Sequence, residues 1–398
     1  MRTPLQSPLE RRVFLRSSLC LSGVWLVGCG DEDLEVPGAA GACGRVPADD
    51  GALLEVLPFA GEGDAPLETP LGAGLDGRLY TDLEALDPAG PLVDNGRFYV
   101  RTAYPDLLQP PDDWRIAVAG AARGPSELRL SELASRVQPM GAHLLECSGN
   151  GAFAHFGMLS AAEWAGIPLA ELIGELGGPA GARVLVSGFD QHAQPSEKSV
   201  PGASWVFDGA ELAARGAFLA TEMNGAPLPR DHGAPVRLVM PGWYGCTCIK
   251  WVDLVRFVGD DEPATAHMKE FASRTHQDGV PELARDFQPA EMDQAAMPVR
   301  VERRRAGDRT FLRLLGVMWG GQRPTDALEI RFARPGESAA WAPVEVCPPQ
   351  AQNRSWTFWW HRWTPPASGA WEIRLRVADP TIRTRRLDTG FYARTVVV

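Results

Sequence analysis

From about Leu79 to its end, this chain is written in short apolar runs broken by turn residues, and that texture constrains its fold more than anything else in it. Runs this short suit strands, which need only about five or six residues each, better than long helices. Trp114-Arg-Ile-Ala-Val-Ala-Gly120, His143-Leu-Leu-Glu-Cys147 and Ala182-Arg-Val-Leu-Val-Ser187 read as strands, and residues 235–240 and 250–258 continue the pattern. Helical spacing shows only locally, over residues 126–133 and 168–176. The expected class is α+β, because strands and short helices mix without a regular strand–helix alternation.

A chain of 398 residues, 45% apolar and 22% charged, has room for two domains with separate cores. Beyond about Pro298 helical signals nearly vanish. Leu328, Ile330 and Phe332 alternate with Glu329 and Arg331, and Ile373, Leu375 and Val377 alternate with Arg374 and Arg376. Between them lies Trp356-Thr-Phe-Trp-Trp-His-Arg-Trp363. Period-2 strands closed by Pro and Gly turns predict a β-sandwich of about 100 residues. The tryptophans read as buried packing or a domain interface, with a carbohydrate platform as the other use of such a cluster. The expected organisation is a signal over 1–29, a flexible Gly/Ala/Pro-rich linker over 30–75, an α+β domain over 76–290 and the sandwich over 291–398.

Arg11-Arg12-Val13-Phe14-Leu15-Arg16 precedes an apolar run ending in Leu26-Val27-Gly28-Cys29. This is the pattern of a twin-arginine export signal with a lipoprotein-type cleavage site. It predicts a periplasmic or membrane-anchored protein, exported already folded, with Cys29 as the lipid anchor. The run from Ser17 to Gly28 is too short to cross a bilayer. Four arginines and one glutamate leave with residues 1–28, so the net charge of −11 falls to −14. An acidic surface excludes nucleic acid as the expected partner. Cys43, Cys147, Cys246, Cys248 and Cys347 remain, an odd and scattered set from which neither a disulfide framework nor a zinc or haem site is expected.

Cys147 stands where a strand gives way to Ser148-Gly149-Asn150-Gly151, a place from which a thiol can be presented to a ligand while backbone approaches closely. Taken alone it is equally a small buried apolar residue. Two further segments bear on it: Thr221-Glu-Met-Asn-Gly-Ala-Pro-Leu-Pro-Arg-Asp-His-Gly-Ala-Pro-Val-Arg237 and Met240-Pro-Gly-Trp-Tyr-Gly-Cys-Thr-Cys-Ile-Lys-Trp251. With Asn95-Gly-Arg-Phe-Tyr-Val-Arg101 and Cys147-Ser-Gly-Asn150 they resemble, in order, the sulfite oxidase family of molybdopterin enzymes. The Ala162-Glu-Trp-Ala-Gly-Ile-Pro-Leu169 stretch is closer to its sulfane-dehydrogenase-like branch.

The resemblance implies a mononuclear molybdenum–molybdopterin cofactor in a sulfite-oxidase-type domain, followed by an immunoglobulin-like dimerisation domain and hence a homodimer. Cys147 matches the thiolate ligand of the metal, a soft donor suited to such a centre. Tyr99, Val100, Arg101, Asp190, His232, Arg237, Cys248, Ile249 and Lys250 match the pterin-lining positions, where cations and polar edges suit a phosphate and a heterocycle. Arg101 joins Cys147 as a candidate catalytic residue. The implied activity is two-electron oxidation or oxo transfer on a small substrate. With no Cys-x-x-Cys-His haem motif, electrons pass to a separate carrier such as a c-type cytochrome. A sulfoxide-type reductase and a cofactor-free surface lipoprotein are the rival readings.

The family pattern breaks in three places. Where it has a tyrosine after the Lys-Trp pair, a gapless count lands on Phe271. Where an arginine follows the cysteine turn, Gly151 and Ala152 follow here, and Thr102-Ala103 replaces the usual Asn-His. His155, His192 and Arg123 are the candidates to restore the missing positive charge. Cys246 and Cys248, two apart on an expected strand, read as packing near the cofactor, since that spacing does not suit a disulfide.

Overall fold

A computed structural model of the chain describes residues 50–178, 182–192, 202–348 and 353–398. The twin-arginine segment, Cys29 and Cys43 lie outside the described residues, as does the side chain of His192. Among the described residues no helix is long and apolar enough to cross a membrane.

Two five-stranded sheets carry the motifs. In the first the order is Glu127–Arg129, Arg115–Ala119, Val252–Val258, Arg183–Gly188, Ser204–Asp208. Arg115–Ala119 and Val252–Val258 run parallel, and the other neighbours are antiparallel. Parallel strands need a crossover, and here it is long enough to contain the whole second sheet. That sheet places Gln138–Glu146, Leu159–Pro168, Phe218–Met223 and Ala226–Pro227 side by side, with Arg237–Val239 also paired to Phe218–Met223. Leu159–Pro168 lies at the centre and is buried along most of its length, which is why it reads as Leu-Ser-Ala-Ala-Glu-Trp-Ala-Gly-Ile-Pro with a single exposed charge. The helices Leu169–Leu176 and Gly209–Arg215 are short, and each stops at a left-handed glycine, Gly177 and Gly216.

The remaining strands form two antiparallel sheets. The hairpin Ala295–Ala306 and Arg309–Trp319 sits in one, with Thr357–Trp363 and Glu345–Val346 beyond it. Leu328–Ala333, Ala370–Val377 and Arg394–Val397 form the other, with Ala342–Pro343 on one edge. Trp363 of the first stacks on Phe332 of the second with ring centroids 4.0 Å apart. The tryptophans are therefore packing residues: Trp356 and Trp359 are buried, and Gly316 makes room for the Trp359 ring.

Two expectations are corrected. Ala52–Val56 pairs with Ala295–Ala306, and Phe59–Ala60 pairs with Arg394–Val397, so the linker expected over 30–75 does not extend across these residues. Their side chains stay largely exposed, and what holds them is backbone pairing to strands far along the chain, which leaves little apolar periodicity to read. Where no disulfide framework was expected, Cys347 is disulfide-bonded, while Cys147, Cys246 and Cys248 are free thiols.

Candidate functional site

The site is assembled from strand ends. Cys147 directly follows Gln138–Glu146, Asp190 follows Arg183–Gly188, Lys250 precedes Val252–Val258, and Arg237 opens Arg237–Val239. The cysteine loop is held by its own residues. Asn150 N–H donates to the Cys147 carbonyl at 2.9 Å, Asn150 Oδ1 accepts from Met158 N–H at 3.1 Å, and Gly149 N–H reaches Cys147 Sγ at 3.4 Å. Behind it, the buried Glu146 carboxylate accepts from Trp319 Nε1 and Tyr392 Oη, both at 2.9 Å.

A cleft with a cavity volume of about 100 Å³ opens beside this loop. Of the sequence candidates, Tyr99, Arg101, Cys147, Asp190, Arg237, Cys248, Ile249 and Lys250 line it. Val100 and His232 do not; both line an adjoining groove. Val100 is buried and pairs its backbone with Leu79 in an isolated bridge. His232 turns its Nε2 to the Asn95 carbonyl at 2.9 Å. Sequence reasoning missed His267 and Glu270, brought in by the helix Ala266–Phe271, and treated Cys246 only as nearby packing. Phe271 also lines the cleft, at the position counted for the family's tyrosine. Cys246 lies in a 3₁₀ turn, Gly245–Thr247, rather than on a strand, because the Pro241-Gly242 turn ends the strand before it.

Neither proposed substitute cation with a described side chain lines the cleft. His155 pairs with Glu62 at 2.9 Å, and Arg123 packs over Gly177 beside a different groove.

Burial dominates the electrostatics. It pushes the Cys147 thiol up, while the charge of Arg101, the Gly149 N–H and Arg274 pull it back. It raises Asp190 to about 7 against the pull of Lys250, and lowers Lys250 to about 7, helped by Arg237 and opposed by Asp231 and Asp190. His232 and His267 are driven down to about 3 and about 4, so both are neutral rings at neutral pH. Lys250 Nζ donates to the carbonyls of Thr102 at 2.7 Å and Asp231 at 2.5 Å. Arg237 donates to those of His232 at 3.0 Å and Cys248 at 3.1 Å.

Three buried polar atoms of residues lining the cleft have no partner among the described residues: Asp190 Oδ1, Arg237 Nε and His267 Nδ1. Native interiors rarely leave such groups unpaired. A ligand offering donors to Asp190 and acceptors to Arg237 fits them, and a soft metal beside it fits the thiol of Cys147. A molybdopterin has these features, so the residues present fit the group.

Residues 102–266 match the oxidoreductase molybdopterin binding domain. Over 197 residues, 45% of this chain and 42% of the other, the sequence is 32% identical to sulfite oxidase of Gallus gallus. Mitochondrial sulfite oxidase of Drosophila melanogaster is 26% identical over 331 residues, 75% of this chain and 54% of that one. The chain thus spans about half or less of these relatives. The fold is similar to that of the sulfane dehydrogenase SoxCD from Paracoccus pantotrophus, with a TM-score of 0.57, 19% identity and 89% of both chains covered. A molybdopterin-binding oxidoreductase domain is the class that site and sequence define. The sequence is similar to that of sulfite oxidases.

Proposed function

We propose that this protein is an exported, mononuclear molybdenum oxidoreductase acting on a small sulfur-containing substrate and exchanging electrons with a separate carrier. The observation that carries the reading is a free, buried Cys147 thiol facing a cleft in which buried polar atoms of Asp190, Arg237 and His267 lack partners among the described residues. A pterin-bound molybdenum, when present, supplies two-electron redox and oxo-transfer chemistry.

The chain's own residues do the rest. Cys147 would hold the metal as a thiolate, against the burial that otherwise keeps it a thiol. Arg237 and Lys250 supply positive charge for the pterin and its phosphate, and Asp190 supplies an acceptor for the ring. Tyr99, stacked on Phe98, and Ile249 close the cleft and exclude water, while Arg101 brings positive charge beside the thiol. Sulfur chemistry is supported by the names of the relatives, sulfite oxidase and sulfane dehydrogenase. Export to the periplasm and lipid on Cys29 rest on the N-terminal motif. An immunoglobulin-like dimerisation role for residues 291–398 rests on the two packed sheets.

The test is metal analysis of the full chain purified from the periplasm. Near-stoichiometric molybdenum that is lost in Cys147→Ser is expected; wild-type protein free of molybdenum overturns the reading.

A further inference from the structure

The turn after Cys147 contains no cation, yet the structure delivers one to it from elsewhere. The helix Ala266–Phe271 continues into the 3₁₀ turn Ala272–Arg274, and Arg274 reaches back to the cysteine loop. Its Nη1 lies 3.6 Å from the point where a Cβ on Gly149 would stand, and Cys147 Sγ lies 3.9 Å from that same point. Guanidinium and thiol therefore flank one glycine that has no side chain to separate them.

Arg386 maintains this juxtaposition. Its Nη2 donates to the carbonyl of Ser148 at 2.9 Å and to that of Arg274 at 2.8 Å, so one guanidinium staples the cysteine loop to the turn carrying Arg274. Arg386 is itself seated over the Tyr244 ring, 4.6 Å from its centre. Arg274 is differently placed: its side chain is 39% exposed and its guanidinium pairs with Glu270 at 3.1 Å. Glu270 lines the cleft. An exposed pair one helical turn apart is weak and readily exchanged for a better anion.

We propose that Arg274, latched by Glu270 and held in register by Arg386, is a specificity-determining residue that meets a small anionic substrate beside Cys147. It stands in for the arginine absent after the cysteine turn. Calling the anion a substrate rests on the molybdenum reading above; the anion contact itself does not.

Sulfate, which undergoes no turnover, is the probe. It is titrated calorimetrically into the full-length purified protein and into Arg274→Gln, Arg274→Lys and Glu270→Gln, with molybdenum content measured on each sample. Arg274→Gln is expected to weaken sulfate binding by about 10- to 100-fold, the usual scale for a lost hydrogen bond to a charged group. Arg274→Lys should fall between it and wild type, and Glu270→Gln should bind more tightly than wild type. Equal affinity in wild type and Arg274→Gln, or no sulfate binding by wild type, overturns the proposal. Should Arg274→Gln fail to fold, Glu270→Gln decides: unchanged or weaker sulfate binding overturns it. Absence of molybdenum from wild type rejects the metal reading separately, because the sulfate comparison does not depend on metal.

Discussion

His143 shows what burial does to a single residue here. It is 1% exposed, its Nε2 meets the Met140 carbonyl at 2.9 Å, and burial lowers it from the ordinary 6.5 to about 4. Its folded-state value lies below the unfolded one, so the unfolded chain takes up the proton first as pH falls. His143 therefore withdraws stability between about pH 6.5 and about 4, on the order of 3 kcal/mol in all. His276 is lowered to about 4 as well and acts in the same direction. Asp190, raised to about 7, acts oppositely by gaining a proton in the folded state. The difference between wild type and His143→Gln isolates one group. Denaturant titrations at pH 7 and pH 5 should show a smaller loss of stability in the variant, and identical losses would refute the assignment. At this scale the sequence marked Cys147, Arg237 and Lys250 through motifs, because each belongs to a contiguous segment of the chain. It did not mark Arg274, whose role depends on a loop more than a hundred residues away in sequence.

Strand pairing determines which side chains share space at the next scale. Gly316 of Arg309–Trp319 faces Trp359 of Thr357–Trp363, and a Cβ on it would lie 2.1 Å from two ring atoms and 2.5 Å from the Met297 carbonyl oxygen. Neither neighbour can yield, since the ring is fully buried and the carbonyl belongs to the paired strand. Gly316→Ala should cost about 1–3 kcal/mol, the usual scale of overpacking, read as a lower midpoint in chemical denaturation. An unchanged midpoint would mean that the hairpin and the Trp-rich strand are not in this register. The strands themselves were legible: alternation at Leu328–Ala333 and Ala370–Val377 survives because one face of each is buried and the other is wet. The 3₁₀ turn at Gly245–Thr247 was not, since a two-residue cysteine spacing is compatible with strand and turn alike.

For the whole molecule, the N-terminal described segment is tied to the C-terminal strands by more than backbone. Glu62 and Arg394 form a buried two-point ion pair, with Nε–Oε1 at 2.6 Å and Nη2–Oε2 at 2.7 Å, and both side chains are 5% exposed. Removing one member strands the other charge, so Glu62→Gln should cost about 3–5 kcal/mol. Equilibrium unfolding by tryptophan fluorescence measures it, and a loss below about 1 kcal/mol, the worth of an exposed pair, would sink the claim. By itself the sequence determined the α+β character, the late β strands and most of the cleft-lining positions it singled out. Those features come from period-2 burial, from turn residues and from ligand chemistry carried in contiguous motifs. Only the tertiary structure decided that residues 52–60 join the late sheets, that Val100 and His232 line a different groove, that His267 and Glu270 come to the cleft, and that Arg274 comes to the cysteine loop. Such placements arise from pairing and packing between distant segments, for which a single chain carries no local periodic signal.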